Sequence, residues 1–263
     1  MLAAMKTTAI LFPMQRTVFN AALACGLLCA VFVPAAAQQT YPEAAVGDEG
    51  GFEQIFDGKT LAGWEGDQQY WRVENGSLVG EVTPETVMKQ NSFVIWRGGV
   101  TRDFELKVEY RVSGRGNSGV NYRSVAVPGV PWAVRGYQFD IDGQDRNQNN
   151  IRHTGQNYEE RGRTFMALRG QVVRAEEPGK RKVIGSVGDI DALKSFIKSD
   201  DWNEVHIIAR GNVLTHMLNG QMMSIVVDED PGHRKAEGLL GVQVHTGPPM
   251  KIEYRNFRLK TLN

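Results

Sequence analysis

Apolar and polar residues alternate in short runs along most of this chain, the period of two that marks a strand with one buried face. SFVIWRG (92–98), FELKVEYRV (104–112), NSGVNYRS (117–124) and GYQFDID (136–142) follow one another at strand-length spacing. Asn75-Gly76 sits between two such runs in RVENGSLVG, a strong hairpin signal. Further on, WNEVHIIAR, VLTHML and QMMSIVVD form three strands joined by Gly211-Asn212 and Asn219-Gly220. GLLGVQVHTG and KIEYRNFRLKT add two more. About eleven strands of this kind predict an all-β fold, a two-sheet antiparallel β-sandwich. One stretch breaks the rule. In GDIDALKSFIKSDD, Ile190, Leu193 and Ile197 recur at helical spacing behind Asp189, which predicts a short helix near 189–198.

The N-terminus follows neither pattern. Lys6 and Arg16 precede an apolar run that ends in Ala35-Ala36-Ala37, the layout of a secretory signal peptide over 1–37. A small, polar, glycine-tipped segment (38–51) then reads as a linker to one domain, 52–263. The mature chain is expected to carry no membrane span and to work in the periplasm or outside the cell. Cys25 and Cys29 both lie in the signal, so the exported part has no disulfide framework and must rely on its core. About 225 residues suffice for that in one domain. Lys6 and Arg16 leave with the signal, so 30 basic residues become 28 against 30 acidic ones. Such a balance excludes a general attraction to nucleic acid or to anionic membranes.

Strand alternation sorts the candidate chemistry. In NSGVNYRS, Val120 and Tyr122 form the core set and Asn121 and Arg123 the other face; in GYQFDID the other face carries Gln138, Asp140 and Asp142. In GLLGVQVHTG it carries Gln243 and His245. Amides are poor strand formers, so their presence needs a reason. Either this face looks at water, or it is a groove for sugars, whose paired hydroxyls suit Asn, Gln, Asp and Arg. Trp132, just before the carboxylate strand, would be an aromatic platform. The polar stretch from Gly143 to Arg163 reads as a long loop bearing His153, Tyr158, Glu159, Glu160, Arg161 and Arg163, and long loops are commonly functional. His206 and His216 read as strand-surface residues and His233 as solvated. No nucleophile elbow, HExxH, phosphate loop or dinucleotide fingerprint is present, and DGQDRNQNN lacks the spacing and terminal Glu of an EF-hand.

These segments, in this order, resemble the 3-keto-disaccharide hydrolase family of exported bacterial proteins. The resemblance runs from about Phe52 to Leu262, through FEQIFDGKTLAGWEG, WRVENGSLVGE, NSGVNYRS, GYQFDID, NYEERGR, WNEVHIIARGNVLTHMLNG and GLLGVQVHTGPPMKIEYRNFRLK. One departure is marked: the family pattern reads Glu and Gln where this chain has Gln138 and Asp140. The resemblance implies a concanavalin-like jelly roll and cleavage of glycosides already oxidised to a ketone at sugar carbon 3. The ketone acidifies the carbon-2 hydrogen, a base removes it, and the aglycone leaves carbon 1 from the enolate, with or without later addition of water. That route differs from the two-carboxylate glycosidase.

On this reading Asp140 or His245 is the base, Arg123 stabilises the enolate, and Glu159 with Tyr158 protonates the leaving oxygen. Asn121, Gln138, Asp142, Gln243 and His153 position hydroxyls beside Trp132. A divalent cation on His245 and Asp140 is the metal alternative. The implied partners are an oxidised glycoside and an upstream sugar 3-oxidoreductase. A non-catalytic carbohydrate-binding jelly roll is the rival function, since fold alone does not fix activity.

Overall fold

A computed structural model describes residues 50–143, 153–177 and 179–262. The expected signal peptide (1–37) lies outside the described residues, as does all of the 38–51 linker except the Gly50-Gly51 turn. Among the described residues the elements run β1 (Glu53–Gln54), β2 (Trp64–Glu65), β3 (Trp71–Glu74), β4 (Ser77–Val82), β5 (Ser92–Thr101) and β6 (Phe104–Val112). Next come β7 (Asn117–Ala126), β8 (Val134–Asp142), β9 (Asn157–Glu160), β10 (Thr164–Ala167), β11 (Gln171–Glu177) and β12 (Lys180–Ser186). The helix α1 (Ile190–Lys194) leads to β13 (Asn203–Arg210), β14 (Val213–Leu218), β15 (Gln221–Asp228), β16 (Gly238–Val244) and β17 (Met250–Thr261).

They form two sheets. The larger runs β12-β11-β15-β14-β13-β6-β17-β4-β3, with β1 added on β17, and the smaller runs β10-β9-β8-β7-β16-β5-β2. Every pairing is antiparallel except β11 with β15. Leu106, Val108, Ile207 and Leu214 of the larger sheet meet Val120, Tyr122, Phe139 and Val242 of the smaller in one buried core. The inner faces are therefore the ones alternation assigns.

Local chemistry sets the turns. Asn75 (φ 51°) with Gly76 (φ 79°), and Asn219 (φ 50°) with Gly220 (φ 78°), take the left-handed pair that a two-residue hairpin requires. Asp189 caps α1, its carboxylate accepting from the amides of Asp191 and Ala192 at 3.0 and 2.9 Å. The helix is shorter than the periodicity suggests, and the strands are more numerous.

Two expectations fail here. NYEE is strand β9, hydrogen-bonded to β8 with Gln138 opposite Tyr158, rather than loop. His216 is fully buried between the sheets, not on a strand surface. Its Nε2 lies 2.9 Å from the Tyr122 hydroxyl and 3.2 Å from Asn157 Nδ2, and its Nδ1 lies 3.1 Å from the Gln156 carbonyl. Burial lowers its pKa to about 3, so a neutral ring ties the two sheets together.

Candidate functional site

The outer face of the smaller sheet carries a cavity of about 230 Å³. Strand pairing builds it. Asp140, Gly119 and Gln243 stand opposite one another on β8, β7 and β16, and the neighbouring row sets Tyr158 of β9 beside Gln138. Paired residues share a face, so side chains far apart in sequence converge. Gly119 supplies the room. A Cβ there would stand 2.4 Å from Gln138 Cδ, so the glycine lets the Gln138 amide lie across the strand. His245 follows β16 directly, Asn91 precedes β5, and His153 and Phe165 close the side beyond β9.

An amide network orients the floor. Asn121 Nδ2 and Gln243 Nε2 both donate to Gln138 Oε1, at 3.1 and 3.3 Å, and Gln138 Nε2 donates to Asp140 Oδ1 at 3.3 Å. Gln243 is fully buried, and among the described residues its Oε1 has no hydrogen-bond partner. Such an acceptor is costly unless something else meets it. Below one end, the Asp142 carboxylate accepts from Asn117 Nδ2 at 2.8 Å and from the His153 amide at 3.1 Å, with His153 Nδ1 at 2.9 Å. Burial pushes Asp142 up, but the bonds from His153 and Asn117 outweigh it and hold the carboxyl below its ordinary range. The His153 ring stacks on Phe165 at 5.3 Å, and Tyr158 meets the same ring edge-on at 5.1 Å, forming an aromatic wall.

Glu160 is the residue that sequence reasoning left among a crowd of charges. It lines the cavity at 7% exposure, with Gln243 Nε2 3.3 Å and Arg161 Nε 3.9 Å from its oxygens. Burial raises its pKa, only partly opposed by Arg161, Gln243 and Asn91. Tyr158 is also raised, first by burial and then by the charges of Glu160 and Asp140. His245 Nδ1 lies against the Thr246 carbonyl, an arrangement that puts the ring proton on Nδ1 and the lone pair on Nε2.

Of the expected site residues, Asp140, His245, Gln138, Gln243, Tyr158 and His153 line the cavity. Asn121 lies under Gln138, and Asp142 acts beneath Asn117 and His153. Three others sit elsewhere. Arg123 is fully buried, at φ 44° where β7 shifts register, so its side chain leaves the groove face. It donates to the carbonyls of Arg102, Gly211 and Lys235 and to Asp103, a structural clamp. Glu159 points to the opposite face of β9 from Tyr158 and Glu160, where Arg163 Nε binds it at 2.5 Å. Reading the segment as a loop hid that alternation. Trp132 lines two neighbouring depressions instead of the cavity.

Asn91, Asn117 and Phe165 also line the cavity without having been singled out, and Glu160 lines it without having been assigned a role. For Glu160 the signal was present: NYEE alternates, and Tyr158 shares its face. Among the described residues no three His, Cys, Asp or Glu side chains gather as a metal cluster. His245 and Asp140, the pair expected to hold a cation, both line the cavity.

Residues 51–260 match the family model described as a 3-keto-alpha-glucoside-1,2-lyase-like domain. No curated protein matches the chain in sequence. Among solved structures, a candidate glycosyl hydrolase from Parabacteroides distasonis is similar at TM-score 0.53 and 16% identity, over 80% of this chain and 99% of that one. A Bacillus subtilis protein of unknown function with a galectin-like fold is similar at TM-score 0.52 and 11% identity, over 80% and 98%. At such identities the likeness is one of fold, and the jelly-roll sandwich expected from the resemblance is the one observed.

Proposed function

The chain belongs to the 3-keto-alpha-glucoside-1,2-lyase-like family, which is carbohydrate-related, and on that premise we propose that it cleaves 3-keto-glycosides by elimination across carbons 1 and 2. The observation that carries this reading is a sugar-sized cavity lined by an imidazole and a buried carboxyl together: His245 and Glu160, with Asp140 between their strands. His245 Nε2 takes the carbon-2 proton. A ring whose Nδ1 proton is committed to a carbonyl has its lone pair at the other nitrogen, which suits general-base work.

Glu160 gives its proton to the leaving oxygen on carbon 1. Burial keeps that carboxyl protonated to higher pH than an ordinary glutamate. Asp140, fixed by Gln138 and by the Ile141 amide, and the Gln243 carbonyl oxygen receive sugar hydroxyls. With Arg123 placed elsewhere, the group left to face the enolate oxygen is His153, whose Nδ1 lies 2.9 Å from the Asp142 carboxylate. Water then adds to the unsaturated product, or the product leaves as it is. Export with cleavage after Ala37, and a separate sugar 3-oxidoreductase that supplies the ketone, belong to the same proposal.

The test gives the chain from Gln38 an aryl 3-keto-α-glucoside and its unoxidised parent, with and without chelator. Aglycone release and carbon-2 deuterium exchange are followed by NMR. Release from the keto sugar alone, with exchange, is the expected result. Binding of both sugars with no release from either would instead favour the carbohydrate-binding module.

A further inference from the structure

The cavity has room for one sugar ring and little more, since pockets for larger ligands run to about 300–1,000 Å³. A glycoside has a second part, and the structure offers it a place. Asn91 lines both the cavity and an adjoining depression of about 430 Å³, which is bounded further on by Tyr70, Lys89, Gln90 and Trp132. Asp67 and Trp132 continue it into a third hollow beside Trp64.

The chain holds Trp132 there against its backbone preference. Trp132 has φ 54°, a left-handed conformation that is a genuine outlier for a bulky side chain and concentrates at functional sites. The segment is pinned on both sides. The Phe93 amide donates to the Trp132 carbonyl at 2.9 Å, the Val127 amide donates to the Ala133 carbonyl at 2.9 Å, and Ala133 and Val134 are buried. The indole itself stays partly exposed at the meeting of the two hollows.

We propose that the depression shared by Asn91 and Trp132 is the leaving-group subsite, and that it takes a second pyranose ring with the indole against one face. Lys89 and Gln90, both exposed, supply charge and amide to that ring's hydroxyls. The scissile oxygen then lies at Asn91, which lines the cavity together with Glu160, so the proton donor stands near the border between the two rings. The inference rests on the cleavage reading above for its names of donor and leaving group. The binding site itself does not.

The experiment has two arms. In the first, α-1,1-, α-1,2- and α-1,4-linked 3-keto-glucosyl-glucoses are compared with methyl 3-keto-α-glucoside on wild type, Trp132→Ala, Trp132→Phe and the double variant Lys89→Ala/Gln90→Ala. At least one disaccharide should have a KM about 10-fold below the methyl glucoside. Trp132→Ala should erase that advantage, Trp132→Phe should restore most of it, and the double variant should reduce it, with methyl glucoside turnover unchanged throughout. An equal loss on both substrates would assign Trp132 to stability alone, and no advantage for any disaccharide would overturn the subsite. In the second arm, saturation-transfer NMR with the unoxidised disaccharides reads contact with the second ring without catalysis. Loss of that contact in Trp132→Ala supports the subsite even if nothing is cleaved, and its persistence contradicts it.

Discussion

Two groups of buried carboxylates lie on opposite faces of one short strand, and they are built differently. On the inner side of β9, Arg163 binds Glu159, Asp228 and Asp230 at 2.5, 2.6 and 3.2 Å, and the Tyr137 hydroxyl donates to Asp228 at 2.5 Å. On the outer side, Glu160 has the Gln243 amide at 3.3 Å and a guanidinium only at 3.9 Å. The first arrangement compensates buried charge with charge, which leaves its groups fixed and chemically inert. The second leaves a carboxyl whose pKa burial raises, with a buried, unmet amide oxygen beside it. Neighbouring residues in sequence, Glu159 and Glu160, thus face an ion-pair cluster and the cavity respectively.

The comparison breaks most visibly at its two centres. Replacing Arg163 with Met strands three carboxylates and should cost about 3–5 kcal/mol in denaturant unfolding, with the rate per folded molecule unchanged. Replacing His245 with Ala should do the reverse, lowering kcat/KM on a 3-keto-glucoside by about 10²–10⁴ while the unfolding midpoint stays put. Equal stability losses in the two variants would erase the distinction.

Acid sharpens it next. His216 is depressed to about 3 in the fold against an ordinary 6.5, so its contribution is complete above pH 6.5 and is lost as pH falls towards 3. Below pH 6.5 the unfolding free energy should therefore drop by up to about 1.4 kcal/mol per pH unit from this group, and His216→Phe should flatten that slope. Glu160 has the opposite sign. Its raised pKa favours the folded state while protonated, so stability from this group declines as pH rises from the ordinary glutamate range through its folded value. Aglycone release should fall over the same interval, and Glu160→Gln should abolish both trends. The smallest effect expected is at Gly119→Ala, where the new methyl must displace Gln138. A loss of about 1–3 kcal/mol and a rise in KM, with kcat less affected, would mark the displaced amide as a binding group.

Most of the fold was legible because its signals are local. Alternation, the Asn-Gly turns and the Asp189 cap each act within a few residues, and each recurs in the structure. The cavity lining was legible where strand alternation carries it, as with Gln138, Asp140 and Gln243, and with His245 just past the end of β16. Arg123 escaped because a register shift between Tyr122 and Val125 turns it away from the face that alternation gives. Glu159, rather than Glu160, was expected at the cavity because polar residues in NYEE hid a strand that turns Glu159 towards Arg163. His216 looked exposed since nothing in VLTHML announces Tyr122, Asn157 and Gln156 arriving from distant segments.

The most direct measurement sets Glu160→Gln beside Glu159→Gln and wild type on one aryl 3-keto-α-glucoside, reading aglycone release and carbon-2 exchange together. Release should fall at least about 100-fold in Glu160→Gln with exchange retained, because the base survives and only the proton donor is gone. Glu159→Gln should release aglycone at the wild-type rate per folded molecule and unfold more easily. Unimpaired release in Glu160→Gln, or a selective loss of release in Glu159→Gln, would contradict the account.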